Sequence, residues 1–262
     1  MYLAFTATAF QARFAYRGEV WASVFGRLVE VLARIAVWTA VFAGGSSVGG
    51  VTLRDMIVYS LIAGTLLGAW DPAYLINEVG KAVKSGDVAV HLLKPFHYPF
   101  YLFAVEIGNL GFALITSVLP VILIVGLIYG LQLPASIADG VFFLAFWLLS
   151  FCIYFLLATA IGLMSFWIMD ANSLDWFLKG IMSFLSGSIV PLWFFPSVLA
   201  AIARVLPFGW ISYYPAAVYL GKLDPLDAAF ALIAGIAWTM VLAGAVGALW
   251  SRARYRIVVQ GG

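Results

Sequence analysis

Apolar residues in this chain run in long blocks rather than alternating with polar ones. The blocks fall at about residues 24–43, 53–70, 97–131, 138–168, 174–192 and 226–250. A hydrocarbon core of about 30 Å takes roughly 20 apolar residues per helix, so each block is long enough, or nearly so, to cross. The pattern predicts an all-α membrane protein: one transmembrane domain over 1–262 with six spans. The third and fourth blocks are over-long and must tilt, kink or project, with Pro120 and Gly126 as kink points in the third. GGSSVGG (44–50) reads as a flexible link, and LQLPASIAD (131–139) as a turn.

Two regions depart from simple spans. Within 1–22, Leu3, Phe10, Phe14 and Trp21 fall on one side of a helical wheel, with Arg13 and Arg17 beside them. This predicts a helix lying along the inner leaflet; an extension of the first span is the other reading. The stretch does not read as a signal peptide. It lacks a basic leading region, and Arg13, Arg17 and Glu19 stand where an apolar core would end. From 187 to 224, Pro191, Pro196, Pro207 and Pro215 cut an apolar stretch into pieces too short to cross as helices. A re-entrant outer segment over 193–224 is expected, its irregular backbone buried in protein or lining a cavity.

Composition strengthens the membrane reading. The chain is 65% hydrophobic and 10% charged, where a soluble domain carries about a quarter charged residues. A net charge of +2 makes no case for nucleic acid. Its distribution matters more. With the N-terminus inside, Arg13, Arg17, Lys81, Lys84, Lys94, Lys179, Arg252, Arg254 and Arg256 lie at the cytoplasmic face, against Arg54, Arg204 and Lys222 outside. That asymmetry predicts both termini in the cytoplasm. The single cysteine, Cys152, excludes an intrachain disulfide.

The polar stretch 71–95 reads as an ordered elbow on the cytoplasmic side. Asp71-Pro72 is a helix start, and Gly86 a stop. Leu75, Ile76, Val79 and Val83 gather on one side of that helix, with Asn77, Glu78, Lys81 and Lys84 elsewhere. Asp87 then caps a second short helix that ends at Lys94-Pro95. Either a well-capped connector or a docking surface for a soluble partner fits. His91 and His97, six residues apart with no Cys or carboxylate pair beside them, read as packing residues rather than metal ligands.

The runs SGDVAVHLLKPFHYPFYLFAVEIGN (85–109) and SGSIVPLWFFPSVLAAIARVLPFGWISYYPAAVYLG (186–221) resemble segments of ABC-2 family transporter permeases. The resemblance implies the type V exporter fold, with an interfacial N-terminal helix. It makes the elbow a coupling helix seated in a separate ATP-binding subunit, through Glu78, Lys81, Lys84, Ser85, Gly86, Asp87, His91 and Lys94. It makes the broken segment an outer gate, with Pro191, Phe194, Phe195, Pro196, Pro207, Tyr213 and Tyr214. Two permease chains, like or unlike, would pair with two ATPase chains in a bacterial cytoplasmic (inner) membrane. The chain has no G-x-x-x-x-G-K-[ST], so no cofactor is expected on it and ATP and Mg belong to the partner. The chain itself is not expected to be catalytic; no nucleophile triad or metal-protease motif is present.

Charges within spans default to functional candidates. Arg27, Glu30 and Arg34 form one stripe on the first span, with Arg34 roughly 15 Å deep by helical rise. Glu106 and Asn109 lie at comparable depth on the third span. An Arg34–Glu106 or Arg27–Glu106 pair between spans is within reach, either lining a substrate path or locking the two spans. The competing function is a secondary transporter or channel, which needs a titratable path and usually an inverted repeat. An intramembrane enzyme or scaffold is a third.

Overall fold

The computed structural model describes residues 1–14, 17–45, 47–70, 72–130, 132–168 and 172–256. Asp71, expected to start a helix, lies outside the described residues. Twelve α-helices account for most of them. In order they are α1 (Tyr2–Arg13), α2 (Arg17–Val41), α3 (Leu53–Ala69), α4 (Pro72–Ser85), α5 (Asp87–Leu92), α6 (Tyr98–Ala113), α7 (Leu119–Tyr129), α8 (Ile137–Met164), α9 (Asn172–Leu185), α10 (Ser197–Val205), α11 (Gly209–Tyr219) and α12 (Pro225–Ala253). The link expected to be flexible instead closes a small hairpin, β1 (Ser47–Val48) on β2 (Val51–Thr52). Gly49 and Gly50 hold φ of 60° and 76°, a backbone that a two-residue hairpin turn requires.

Among the described residues, three helices are long and apolar enough to cross a membrane, 98–129, 137–164 and 225–253, or four if the bent pair α10 and α11 forms one broken span. The sequence predicts six. The difference has physical causes. The 25 residues of α2 carry the charge stripe, α3 has only 17 residues, and α9 only 14. The block expected to be helical over 174–192 therefore ends at Leu185.

The longest helix runs through a π-helical turn, Leu114–Val118, between α6 and α7. Pro120 follows two residues later, lacks an N–H, and crowds the carbonyl four residues before it. A wider turn just ahead of it relieves that crowding. The irregularity thus falls beside Pro120, and α7 passes through Gly126 unbroken.

The core forms around α8, whose Phe146, Ile153, Ala158 and Leu163 are fully buried. On one side α11 is buried from Gly209 to Val218. Pro215 inside α11 leaves the Ile211 carbonyl without its helical donor, and the Ser150 hydroxyl of α8 donates to it at 2.7 Å. In lipid an unmet carbonyl costs several kcal/mol, so this bond lets a proline sit mid-helix. On the other side α4 seats Leu75, Ile76 and Val79 against the last turns of α8. Gly162 permits that approach: a Cβ there would lie 3.1 Å from Val79 Cβ.

Candidate functional site

The elbow turns its charges outward. Glu78, Lys81, Lys84, Ser85, Gly86 and Asp87 are all exposed, while the apolar side of α4 is sunk against α8. Gly86 holds φ 80°, a left-handed backbone that any side chain would strain, and so sets the angle between α4 and α5. The Ser85 hydroxyl donates to Asp87 Oδ2 at 2.6 Å and fixes the corner. Beyond it, Val90 and Leu93 are 52% and 87% exposed next to exposed Lys94. The result is a rigid corner with a mixed apolar and charged rim.

His91 faces inward. Its ring lies 5.2 Å from that of Tyr101, 5.3 Å from Tyr98 and 5.9 Å from Phe96. Burial in this cluster, and then the charge of Lys94, hold the imidazole below its ordinary pKa. His97 stays on the surface, and its backbone N–H donates to the Tyr2 hydroxyl at 3.2 Å. The two histidines therefore serve packing and chain docking.

The N-terminal helix does more than lie flat. α1 packs along α6 through small residues: the Thr6 hydroxyl donates to the Ala104 carbonyl at 2.8 Å. A Cβ on Gly108 would come within 2.4 Å of the Thr6 carbonyl oxygen. Such contact between small residues is how membrane helices approach closely. At its end, Arg13 Nε donates to Asn109 Oδ1 at 3.1 Å, and Asn109 Nδ2 donates to Glu106 Oε1 at 3.0 Å. The Arg13 guanidinium also sits 4.2 Å over the Tyr74 ring of α4. One arginine thus ties α4 to α6.

Among the described residues Arg34 pairs elsewhere than with Glu106. Arg27 Nε donates to Ser23 Oγ at 3.2 Å, and Ser23 shares a 3.1 Å hydrogen bond with Ser117 in the π-helical turn. The α2 helix and the π-helical turn are joined there, by hydroxyls. Arg34 Nη2 donates to Glu30 Oε1 at 2.6 Å, and Nη1 donates to the Ser188 carbonyl.

The Arg34 contact explains why α9 can be short. Fourteen residues rise about 21 Å, less than the roughly 30 Å of a hydrocarbon core. Arg34 lies seven residues from the end of α2, and Tyr59 six from the start of α3, each about 9–10 Å along its helix by the same rise. Both side chains arrive at the break. The Tyr59 hydroxyl donates to the Gly187 carbonyl at 2.7 Å, and the Tyr213 N–H to the Ser186 carbonyl at 3.0 Å. Three consecutive carbonyls of the turn are met, and a cation sits where a helix ends, as the helix dipole favours.

Beyond the turn, the predicted gate residues divide. Pro191 is buried ahead of a short 3₁₀ turn, Leu192–Phe194. Phe194 stacks on Trp38 of α2 at 5.6 Å, and Phe195 on Phe184 of α9 at 5.4 Å. Pro196 starts α10 and is exposed, whereas Pro207 is buried at the 106° bend between α10 and α11. Tyr213 and Tyr214 border a cavity of about 700 Å³. Trp193, Trp210 and Phe230 add aromatic faces; Arg204, Lys222 and Asp227 add charges. Lys222 Nζ also lies 3.1 Å from Asp55 and 3.2 Å from the Gly50 carbonyl, so the hairpin forms part of the rim. This cavity lies at the end of the bundle opposite the elbow.

Sequence reasoning missed the roles of Arg13, Tyr74, Tyr59 and Ser188. A buried-helix pattern gives no warning of a hydroxyl aimed at another segment. The glycine of SGS (186–188), with φ 77°, was the one available signal of a helix stop.

A model of the family described as ABC-2 family transporter protein matches residues 28–261 of this chain. A search of curated proteins finds no match.

Proposed function

This chain belongs to the ABC-2 family of transporter proteins, and from that premise we propose that it is the permease subunit of an ATP-driven exporter. Its place in a membrane and in transport follows from the family and from its membrane-crossing helices. The finer reading rests on one observation: in a lipid-solvated chain, a rigid corner presents Glu78, Lys81, Lys84 and Asp87 outward on a helix anchored to α8. A separate ATP-binding subunit docks there, and closure of the ATPase pair tilts the spans by rigid-body motion. The 700 Å³ cavity at the other end is the exit.

In this reading α2, α3 and the α9 segment also cross, giving six spans. The charges of α2 are tolerated because Arg34 is met by Glu30 and Ser188, and the shortness of α9 because its end is capped. Exposed Lys81, Lys84, Lys94, Arg252, Arg254 and Arg256 at the elbow end support a cytoplasmic elbow and cytoplasmic termini. Glu30 is 45% exposed at membrane depth, which supports a second permease chain or a water-filled path beside α2.

The test is purification in gentle detergent with mass spectrometry of what accompanies the chain. A stoichiometric P-loop ATPase, cross-linking to Lys84, is the expected result, and a second permease chain decides between like and unlike pairs. A monodisperse chain with no ATPase rejects the reading in favour of a secondary transporter.

A further inference from the structure

Between α3, the longest helix and α8 runs an apolar trough of about 360 Å³, separate from both the elbow and the outer cavity. One wall is the face of α3 from Ile57 to Ala69, and a second is the longest helix from Leu114 to Val125. By helical rise these walls are about 18 Å and about 16 Å long. One leaflet's share of a 30 Å hydrocarbon core is about 15 Å, so the trough matches a single acyl chain in length. Leu114 and Val118, the first and last residues of the π-helical turn, both line it. Such turns gather at functional sites.

One end of the trough is polar. There the Tyr219 hydroxyl donates to the Gln132 backbone carbonyl at 2.6 Å. The side-chain oxygen of Gln132, Oε1, is buried with no hydrogen-bond partner among the described residues. This end lies at the turn between α7 and α8, level with the membrane surface opposite the elbow. Deeper in, the Thr65 hydroxyl on the lining is already given to the Ile62 carbonyl at 3.1 Å. A dry apolar cavity does not hold water. Around its mouth Leu123, Leu127, Leu144 and Leu148 are exposed, so acyl chains are the solvent that meets it.

We propose that this trough binds one phospholipid from the leaflet opposite the elbow. One acyl chain lies between α3 and α8, and the head group sits at the polar end beside Gln132 and Tyr219. The site depends on the membrane location of the chain and is independent of the exporter reading.

The experiment uses the full chain in nanodiscs of phosphatidylethanolamine and phosphatidylglycerol, followed by transfer to detergent, washing and quantification of retained lipid. The wild type keeps about one phospholipid per chain; Val118→Phe and Ile122→Phe, which fill the trough, lose it. Gln132→Leu releases it about fivefold faster, the scale of one hydrogen bond. Equal retention in a folded filling variant and the wild type overturns the proposal, as does a different amphiphile recovered in place of phospholipid. A second measurement needs no core change: phosphatidylethanolamine with a spin-labelled acyl chain quenches Trp147, which lines the trough, read as the difference from Trp147→Phe. No quenching of Trp147 means an empty trough and ends the proposal.

Discussion

The elbow and the turn after α9 are both places where turn residues interrupt an apolar chain, and they resolve the interruption in opposite ways. The elbow sinks its apolar side and leaves its charges unspent at the surface. The turn at 186–188 is buried and has its carbonyls met by Arg34, Tyr59 and Tyr213. Water can satisfy the first; only protein can satisfy the second. The contrast teaches that polar residues in a membrane chain mark either an outside surface to be recognised or an inside gap to be filled.

Substitutions at the buried turn should cost folding, and substitutions at the elbow should cost function above all. Arg34→Leu removes the cation from a largely buried position, 16% exposed, and leaves the Ser188 carbonyl unmet. A loss of about 3 kcal/mol or more is expected, read as a collapse of thermal stability in detergent. A stable Arg34→Leu protein breaks the comparison. Next comes Gly235→Ala on α12, where a Cβ would fall 2.3 Å from Leu149 Cδ2 and 2.4 Å from Trp210 Nε1. Overpacking there should cost about 1–3 kcal/mol and loosen α11, seen as faster proteolysis between α10 and α12.

At the elbow the expected effects shrink. His91 is held neutral by its aromatic pocket, so its folded pKa lies below the ordinary value of about 6.5. The unfolded segment then binds the proton more readily. The contribution to stability is full above pH ~6.5 and falls as pH drops through that value. Hydrogen exchange across 85–98 should accelerate on acidification, and His91→Phe should flatten the profile. Last is the triple charge reversal at Lys81, Lys84 and Asp87. It should change stability by about 0.5 kcal/mol or less at each lysine, with the lost Ser85–Asp87 bond costing about 1 kcal/mol more, yet abolish ATPase binding or uncouple hydrolysis from transport in reconstituted vesicles. A fully coupled triple variant overturns the docking role.

The sequence made the outward-facing features legible and the inward-facing ones obscure. Pro215 does not cut the chain as expected, because Ser150 meets the carbonyl it frees inside α11. Gly86, the amphipathic spacing of α4 and the cuts at Pro191, Pro196 and Pro207 each act locally, through backbone geometry and periodicity. They read correctly because nothing distant decides them. The partner of Arg34 lies 154 residues away, and that of Arg13 lies 96 away. Charge matching alone favoured Glu106, but the short α9 created a stronger demand at Ser188. The end of α9 itself was hidden because residues 186–192 are apolar enough to continue a span while their backbone does not.

On the six-span reading proposed above, the Arg34 bond also orders assembly in time. α2 leaves the ribosome well before α9, and its Glu30–Arg34 pair lies within one turn of the same helix, so the charge enters lipid already partnered. When α9 arrives too short to cross, a donor is waiting at the depth where it stops. Synthesis that delivered the α9 segment without α2 would leave a half-helix with no stable depth, and quality-control proteases would see it first.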